Sequence, residues 1–459
     1  MKLKHLCLWL MLSMTISVNS YAKETAYRLS TLIKPSFQQI TLKVDPDSPT
    51  FSGETTIIID VTEATDIIGF YQKDLNIQQA YLTNGDILIP LTVSSHDYDI
   101  QQAKATQKIA ANRYTLHIVF DGNFNTTSDG MYLSKFEGLN YVFTQFEDMY
   151  ARRAFPSFDE PGFKIPYQVT VMSPEKHTVL SNTLVNKRTV KDGWQTVEFN
   201  KTKPMPTYLV ALAVGELDAY DIPNLSVPGK IYTPKGQSQR TKFAAKNTAG
   251  ILQNLERYFG SAYPYQKLDF VAVPNFTFGA MENVGLVTYR SSLLLLDDEP
   301  RLAEQSSTLN VIAHELAHMW YGNLVTMAWW DDLWLNEAFA SWMASKVMMD
   351  LYPEQNFKGR LVQEGAFGAD ASPTVKPVKK VVKSQTDVMD GLGLNYSKGE
   401  SILQLIESMV GEEAFQKGIQ TYMKNNAFSN AQADDLWKVL STVADFDVPA
   451  MMKTYLEQP

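Results

Sequence analysis

Cysteine is almost absent from this chain, which has one, Cys7, in 459 residues. Because Cys7 lies inside the leader-like start of the chain, cleavage there would leave no disulfide and no thiol nucleophile. Basic residues are also outnumbered: 41 Lys and Arg against 50 Asp and Glu give a net charge of −9. This charge, with no dense basic cluster, argues against nucleic acid as a partner.

Long apolar runs are missing after the first residues. Lys2 and Lys4 precede an apolar stretch from Leu6 to Val18, and Ser20-Tyr21-Ala22 has small residues at both cleavage-site positions. The pattern predicts a secretory signal peptide at residues 1–22 and therefore an exported, periplasmic or secreted protein. The stretch is too short to span a bilayer comfortably, so we expect no stable membrane span.

The first half of the chain alternates apolar and polar residues. Hydrophobic content of 45% and charged content of 20% are those of an ordinary soluble protein, and the length suits two or three domains. Ile40, Leu42 and Val44 show the period of two, and Asn84-Gly85 and Asp192-Gly193 are hairpin-type turns. We therefore predict an antiparallel β domain at residues 23–218.

The second half changes to helical periodicity. Helical patterns at 241–259, 399–427 and 431–443 accompany strand-like pieces at 268–273 and 284–290. The predicted fold is an α+β multidomain protein, in which residues 219–459 form an α+β domain after the β domain.

Two of the six histidines stand four residues apart, in His314-Glu315-Leu316-Ala317-His318. A helix is predicted from about Ser307 to Tyr321 with Gly322 as its stop, and positions i and i+4 share one helix face. Both imidazoles can then reach one Zn²⁺, with Glu315 beside the open coordination position. Because it neighbours a ligand without being one, Glu315 is the predicted general base.

The third zinc ligand is predicted to be a carboxylate. No histidine follows His318; the others, all upstream, are His5, His96, His117 and His177. Glu337 follows His318 after eighteen intervening residues, inside a second helical pattern running to about Asp350. Unless a histidine arrives from the N-terminal half, His314, His318 and Glu337 hold one Zn²⁺ per chain and leave a fourth position for water, which is the catalytic arrangement.

With these residues the chain resembles the zinc aminopeptidases of the thermolysin-like, glutamate-liganded class. The family's exopeptidase signature appears as Gly279-Ala280-Met281-Glu282-Asn283, a short distance before the zinc helix. Further matching stretches are Thr144-Gln145-Phe146-Glu147, Ala151-Arg152-Arg153-Ala154-Phe155-Pro156, Phe158-Asp159-Glu160-Pro161 and Tyr396-Ser397-Lys398-Gly399. The resemblance implies a thermolysin-like catalytic domain at residues 219–459.

The resemblance also implies further site residues. Tyr396 would supply a hydroxyl to the oxyanion of the tetrahedral intermediate. Glu282 would anchor the free α-amine of a peptide substrate, and Gln145 and Glu147 would complete the amine site. Ala280 and Met281 would shape the wall for the first side chain, and Gly279 and Asn283, the rest of the signature, would also belong to the substrate-binding site. Asn336 or Asp332 is the expected partner of a ligating histidine, whereas Asp159-Glu160-Pro161 is expected to be a domain-packing turn.

Two departures from the family pattern keep other interpretations open. Ala338 stands where the family often has glycine, and the chain ends where relatives continue into further domains. The main alternative is an inactive or truncated fragment that acts as a non-catalytic interaction protein, and a partner chain could supply the missing C-terminal domains. Epoxide hydrolases among the relatives carry Gly-Gly-Met-Glu-Asn, so Ala280 speaks against that class.

Overall fold

The computed structural model describes residues 27–357 and 363–458, and the predicted signal peptide at residues 1–22 lies outside them. The strands of the first half are β1 (Ile33–Lys43), β2 (Thr50–Val61), β3 (Thr65–Tyr71), β4 (Leu75–Asn84), β5 (Ile87–Ser95), β6 (Ile100–Ile109), β7 (Asn112–Asn123), β8 (Gly130–Phe136), β9 (Leu139–Gln145), β10 (Tyr167–Pro174), β11 (Thr178–Ser181), β12 (Val185–Lys191), β13 (Trp194–Phe199) and β14 (Leu212–Gly215).

These strands form two sheets. The ten-stranded sheet has the order β12-β13-β10-β1-β2-β7-β4-β5-β6-β3, and the four-stranded sheet has the order β11-β14-β9-β8. Ile40 and Leu42 of β1 are buried while their neighbours are not, as the period of two predicts. The sheets are antiparallel except for β1 and β10, which pair in parallel, a long-range pairing that the local pattern does not reveal.

The two predicted hairpins are confirmed. Asn84-Gly85 leads from β4 into β5, and Asp192-Gly193 joins β12 to β13. Asp192 has φ 53° and Gly193 has φ 77°. Positive φ at both central residues matches the right-handed twist of the paired strands, which explains this turn sequence.

The second half combines a small sheet with helices. Its strands are β15 (Leu217–Asp221), β16 (Lys230–Pro234), β17 (Asp269–Val273), β18 (Ala280–Met281), β19 (Leu286–Arg290), β20 (Val325–Met327) and β21 (Ser429–Ala431). Its helices are α1 (Lys242–Phe259), α2 (Ser291–Leu294), α3 (Leu302–Ala317), α4 (Trp334–Leu351), α5 (Gln363–Asp370), α6 (Gln385–Met389), α7 (Leu392–Val410), α8 (Glu412–Asn425), α9 (Ala433–Leu440) and α10 (Val448–Leu456). Short 3₁₀ helices are Asp97–Asp99, Ala151–Arg153, Thr207–Leu209, Ser238–Thr241, Trp330–Asp332 and Pro353–Gln355.

A five-stranded sheet of order β15-β16-β17-β19-β18 carries this half, and β20 pairs with β21. The predicted domain limit between residues 218 and 219 falls inside β15, the first strand of this sheet, and it stays a prediction. The α+β class is confirmed. Within residues 27–357 and 363–458, no helix has the length and apolar character needed to cross a membrane.

The helix α3 differs from its predicted bounds. It begins at Leu302 and ends at Ala317, so His318 is its C-cap residue rather than an interior one. Leu309, Ile312 and Leu316 are buried at helical spacing, as expected. The predicted helix over 399–427 is in fact α7 and α8, because the chain breaks at Gly411, where φ is 92°.

Candidate active site

The two histidines and Glu337 meet between α3 and α4. His318 Nε2 lies 3.1 Å from His314 Nε2. Oε2 of Glu337 lies 3.4 Å from His314 Nε2 and 3.7 Å from His318 Nε2. The helix spacing thus brings the three predicted ligands to one point.

This triangle fits a zinc ion. Donor atoms bonded to tetrahedral zinc at about 2.0–2.2 Å are themselves about 3.3–3.6 Å apart, and the three observed separations bracket that value. Oε2 of Glu337 is buried and has no hydrogen-bond partner. A buried carboxylate oxygen without a donor is costly, and a metal ion would satisfy it.

The charges of the site also call for a cation. Although burial opposes it, the carboxylates of Glu282 and Glu337 raise the pKa of His318 to about 10. Burial likewise acts against the charged form of Glu337, but the neighbouring imidazoles of His314 and His318 hold its pKa below its usual range. The carboxylates therefore favour a positive charge on the imidazole of His318. A bound Zn²⁺ would supply that positive charge instead, with both imidazoles neutral.

The outer nitrogens of the two imidazoles contact groups other than the predicted ones. His318 Nδ1 lies 3.1 Å from the carbonyl oxygen of Tyr321, which can only accept, so Nδ1 carries the proton and Nε2 is free to ligate. His314 Nδ1 lies 3.4 Å from Ser341 Oγ.

The prediction that Asn336 or Asp332 orients a ligating histidine is therefore wrong. Asn336 donates to the hydroxyl of Tyr208 at 3.2 Å. Asp332 pairs with Lys379 at 2.9 Å. Asn336 and Asp332 therefore make polar contacts with residues other than the two histidines, which sequence position alone did not reveal.

Glu315 lies on α3 beside the triangle. It is 4% exposed, and its Oε2 has no hydrogen-bond partner. Burial raises the pKa of Glu315 well above its usual range, and neighbouring carboxylates act in the same direction. A carboxylate in such surroundings binds a proton readily, which suits a general base.

Tyr396 reaches the same point from α7. Its ring stacks on that of His314, with centroids 5.9 Å apart and an interplanar angle of 27°. Burial raises the pKa of Tyr396 well above its usual range, so the phenol keeps its proton and can donate it in a hydrogen bond.

A cavity of about 310 Å³ opens over these groups. Besides Glu315, three carboxylates outside the triangle line it: Glu282, after β18, and Glu147 and Asp148, from the loop after β9 of the N-terminal domain. Burial, together with the charges of Glu282 and Glu337, raises the pKa of Glu147 well above its usual range. Gln145 lines the cavity as well, and its Oε1 has no hydrogen-bond partner.

The signature segment contributes only part of its length to the cavity. Gly279, Ala280 and Glu282 line it, whereas Met281 and Asn283 do not. Met281 Sδ accepts from Gln145 Nε2 at 3.3 Å, and Asn283 donates to Thr288 at 3.4 Å. Because side chains alternate along an extended segment, Met281 and Asn283 face away from the side that Ala280 and Glu282 present. Met281 and Asn283, which were expected to be substrate-binding residues, therefore support the cavity wall from behind instead of lining it.

An apolar side of the cavity escaped the sequence analysis. Its residues are Phe278, Val311, Leu333, Val388, Met389 and Leu392. The position of Val311 could have been predicted from the sequence, since Val311 stands one helical turn before His314. Val388 and Met389 were not, because their place depends on how α6 folds back over the site.

The turn Asp159-Glu160-Pro161 packs the domain. Arg152 Nε donates to Asp159 Oδ2 at 2.8 Å, and Arg28 Nη2 lies 3.1 Å from Glu160 Oε2. Both carboxylates are buried, and neither Asp159 nor Glu160 lines the cavity.

Comparison with known proteins agrees with this geometry. Residues 34–209 match the Peptidase M1 N-terminal domain, and residues 243–455 match the Peptidase family M1 domain. Aminopeptidase M1-D of Oryza sativa subsp. japonica is 34% identical over 94% of this chain and 50% of its own length. Aminopeptidase 2, mitochondrial, of Saccharomyces cerevisiae is 36% identical over 91% of this chain and 45% of its own.

Glutamyl aminopeptidase of Bos taurus is 34% identical over 94% of this chain and 47% of its own length. The chain thus spans about half the length of the curated relatives it matches. Both domain matches follow one another in the order that the β domain and the α+β domain take here. The chain belongs to peptidase family M1.

Proposed function

We propose that this chain is a zinc-dependent aminopeptidase that removes N-terminal residues from peptides. One observation carries the proposal: the triangle of His314, His318 and Glu337 shares a single cavity with Glu315, Tyr396 and three further carboxylates. Its aminopeptidase relatives support the same activity. We expect one Zn²⁺ per chain at the triangle.

Zinc held there would lower the pKa of a bound water toward about 7 and polarise the peptide carbonyl. Glu315 removes a proton from the attacking water and later delivers it to the departing amine. The hydroxyl of Tyr396 donates a hydrogen bond to the oxyanion as it develops.

The acidic residues would select substrates with a free N-terminus. An α-amine is cationic below about pH 8. Glu282 and Glu147 are buried carboxylates in the cavity wall, where a cation would relieve their mutual repulsion. Gln145 offers an acceptor oxygen beside them. The apolar side, including Phe278 and Met389, would receive the first side chain.

Zinc content and turnover of the Glu315→Gln variant test the proposal together. Wild-type protein should contain zinc and hydrolyse alanyl and leucyl amides, and a chelator should abolish the activity. Glu315→Gln should retain zinc but lose at least about 10²-fold in kcat, because no base remains beside the water. Glu304→Gln, on the exposed first turn of the same helix, is the matched control.

Near-normal turnover by Glu315→Gln would disprove its role. Zinc without any turnover in the wild-type chain would favour the alternative of a non-catalytic interaction protein, and a partner chain supplying further domains would then be sought by restoring activity.

We also propose that the protein is exported. The basic start at Lys2 and Lys4, the apolar stretch and the small residues at Ser20 and Ala22 support this. Mass spectrometry of protein expressed from the full sequence should find an N-terminus at Lys23. An intact Met1 on the exported protein, or retention of all of it inside the cell, would contradict export by cleavage.

A further inference from the structure

A second group of potential metal ligands lies in the N-terminal domain. Asp45 and Asp47 occupy the turn between β1 and β2, and His177 occupies the turn between β10 and β11. One ligand atom from each of the three lies within 4.8 Å of the others. None of them lines the catalytic cavity.

His177 is the informative member of this group. It is 5% exposed, and neither ring nitrogen has a hydrogen-bond partner. Buried polar atoms nearly always have a partner, and leaving them without one costs free energy. Since a nitrogen of His177 lies within 4.8 Å of a carboxylate oxygen of each aspartate without a hydrogen bond to either, an ion between these atoms would satisfy it.

The carboxylates are already oriented by neighbours. The backbone N–H of Asp47 donates to Asp45 Oδ1 at 3.0 Å, which leaves the second oxygen of Asp45 available. Asn140 Nδ2 donates to Asp47 Oδ1 at 3.0 Å. Hydrogen bonds of this kind fix ligand orientation around bound metals.

The two carboxylates of the group favour a bound cation, and the ammonium of Lys176 competes with it for Asp47. Lys176 Nζ lies 2.9 Å from Asp47 Oδ2, and both side chains are about half exposed. Such an exposed pair is weak, so the long lysine side chain can turn away into water. The nearby Glu216 is paired with Lys235 at 2.7 Å, so the charge of Lys235 is already balanced by a carboxylate.

We propose that Asp45, Asp47 and His177 bind a divalent cation of the borderline transition-metal class. One imidazole with two carboxylates suits Zn²⁺ and its first-row neighbours, whereas Ca²⁺ and Mg²⁺ prefer oxygen ligands alone. The turn that holds His177 links β10 of the ten-stranded sheet to β11 of the four-stranded sheet. The ion would therefore hold the β1–β2 turn against the connection between the two sheets.

Zinc counts on full-length variants test this site. After dialysis against buffered micromolar Zn²⁺, wild-type protein should hold two ions per chain and His177→Gln one. His96→Gln, which changes an exposed histidine of the same domain, should hold two. Asp47→Asn should also hold one, and this exposed substitution decides the matter if His177→Gln does not fold.

Two further variants separate this site from the catalytic one. His318→Ala should lose only the ion of the active site, and the variant that combines it with His177→Gln should lose both. Lys176→Met should tighten the second ion by up to about fivefold, because the competing ammonium is gone.

Two results would overturn the second site. One is a wild-type chain that binds a single ion, lost in His318→Ala. The other is a two-ion chain whose count changes in neither His177→Gln nor Asp47→Asn. Either result would leave the proposed aminopeptidase activity untouched.

Discussion

The ring and the hydroxyl of Tyr396 have different roles, because the ring packs on His314 while the hydroxyl is the proposed donor to the oxyanion. Tyr396→Phe keeps the ring and removes the donor. We expect kcat on leucyl amide to fall by about 10²–10³-fold with KM within about twofold, since the hydroxyl acts mainly in the transition state. Steady-state kinetics measure both constants. Tyr455→Phe, in the last helix, is the control, and an unchanged kcat for Tyr396→Phe would refute the role.

The carboxylates of Glu282 and Glu147 give a prediction about substrates rather than rate. Burial raises the pKa of both carboxyl groups, so a cationic amine beside them would stabilise their charged forms, and loss of one partner of a buried charge pair costs about 2–5 kcal/mol. Glu282→Gln should therefore reduce kcat/KM for peptides with a free amine by about 30-fold or more. N-acetylated peptides should be poor substrates for the wild-type protein. Equal cleavage of free and acetylated peptides would remove the argument for amine anchoring.

The helices α4 and α7 touch where neither could carry a larger side chain. A Cβ on Gly399 would stand 2.5 Å from the Cβ of Ala338. Ala338 follows the ligand Glu337, and Gly399 lies three residues after Tyr396, so this contact sets the distance between two functional residues. The methyl group of Ala338 fills the space that the missing side chain of Gly399 leaves.

This contact predicts a rescue. Gly399→Ala should destabilise the protein by about 1–3 kcal/mol through overpacking and lower activity by moving Tyr396. Adding Ala338→Gly should restore much of both, because the methyl group then moves from one helix to the other. Gly250→Ala, on an exposed face of α1 with open space around it, should stabilise by about 0.5–1 kcal/mol. Thermal unfolding and turnover are the measurements; a double variant no better than Gly399→Ala would exclude direct contact.

Site residues of the second half could be predicted from the sequence where one physical requirement, such as metal coordination, fixes the spacing of residues close in the chain. A metal ion forces ligands to one side of a helix, so His314 and His318 stand four apart. Glu337 could be found because the choice of a third ligand was narrow. Ser341 and the carbonyl of Tyr321 could not, since hydrogen-bond partners depend on how α3 meets α4, and a backbone carbonyl has no identity in the sequence.

The two predicted domains line one cavity, and the sequence shows this only through resemblance. Gln145 and Glu147 line the cavity from the N-terminal domain. Strand alternation predicts that their segment is β structure, but the parallel pairing of β1 with β10, and the cavity that Glu147 lines together with His314, join residues far apart in the chain. Local periodicity carries no information about such pairs.

Lys164 provides the clearest contact between the domains. Its Nζ donates to the carbonyls of Asn323, Leu324 and Ser429 at 2.9, 2.8 and 3.2 Å. Asn323 in turn donates to the carbonyl of Glu282 at 2.8 Å. A lysine of the N-terminal domain thus supports the segment after the zinc helix and, through it, the proposed amine anchor.

Removing this amine donor should loosen both the interface and the anchor. Lys164→Met leaves three carbonyls without their shared donor, and we expect a loss of about 1–3 kcal/mol in the free energy of unfolding. KM for free peptides should rise more than kcat falls, because Glu282 shifts while Glu315 and Tyr396 do not. Urea unfolding and steady-state kinetics measure the two effects, with Lys187→Met on an exposed strand as control. If the unfolding midpoint and KM of Lys164→Met both match those of the control, Lys164 does not couple the domains, and the position of Glu282 must come from β18 and β19 alone.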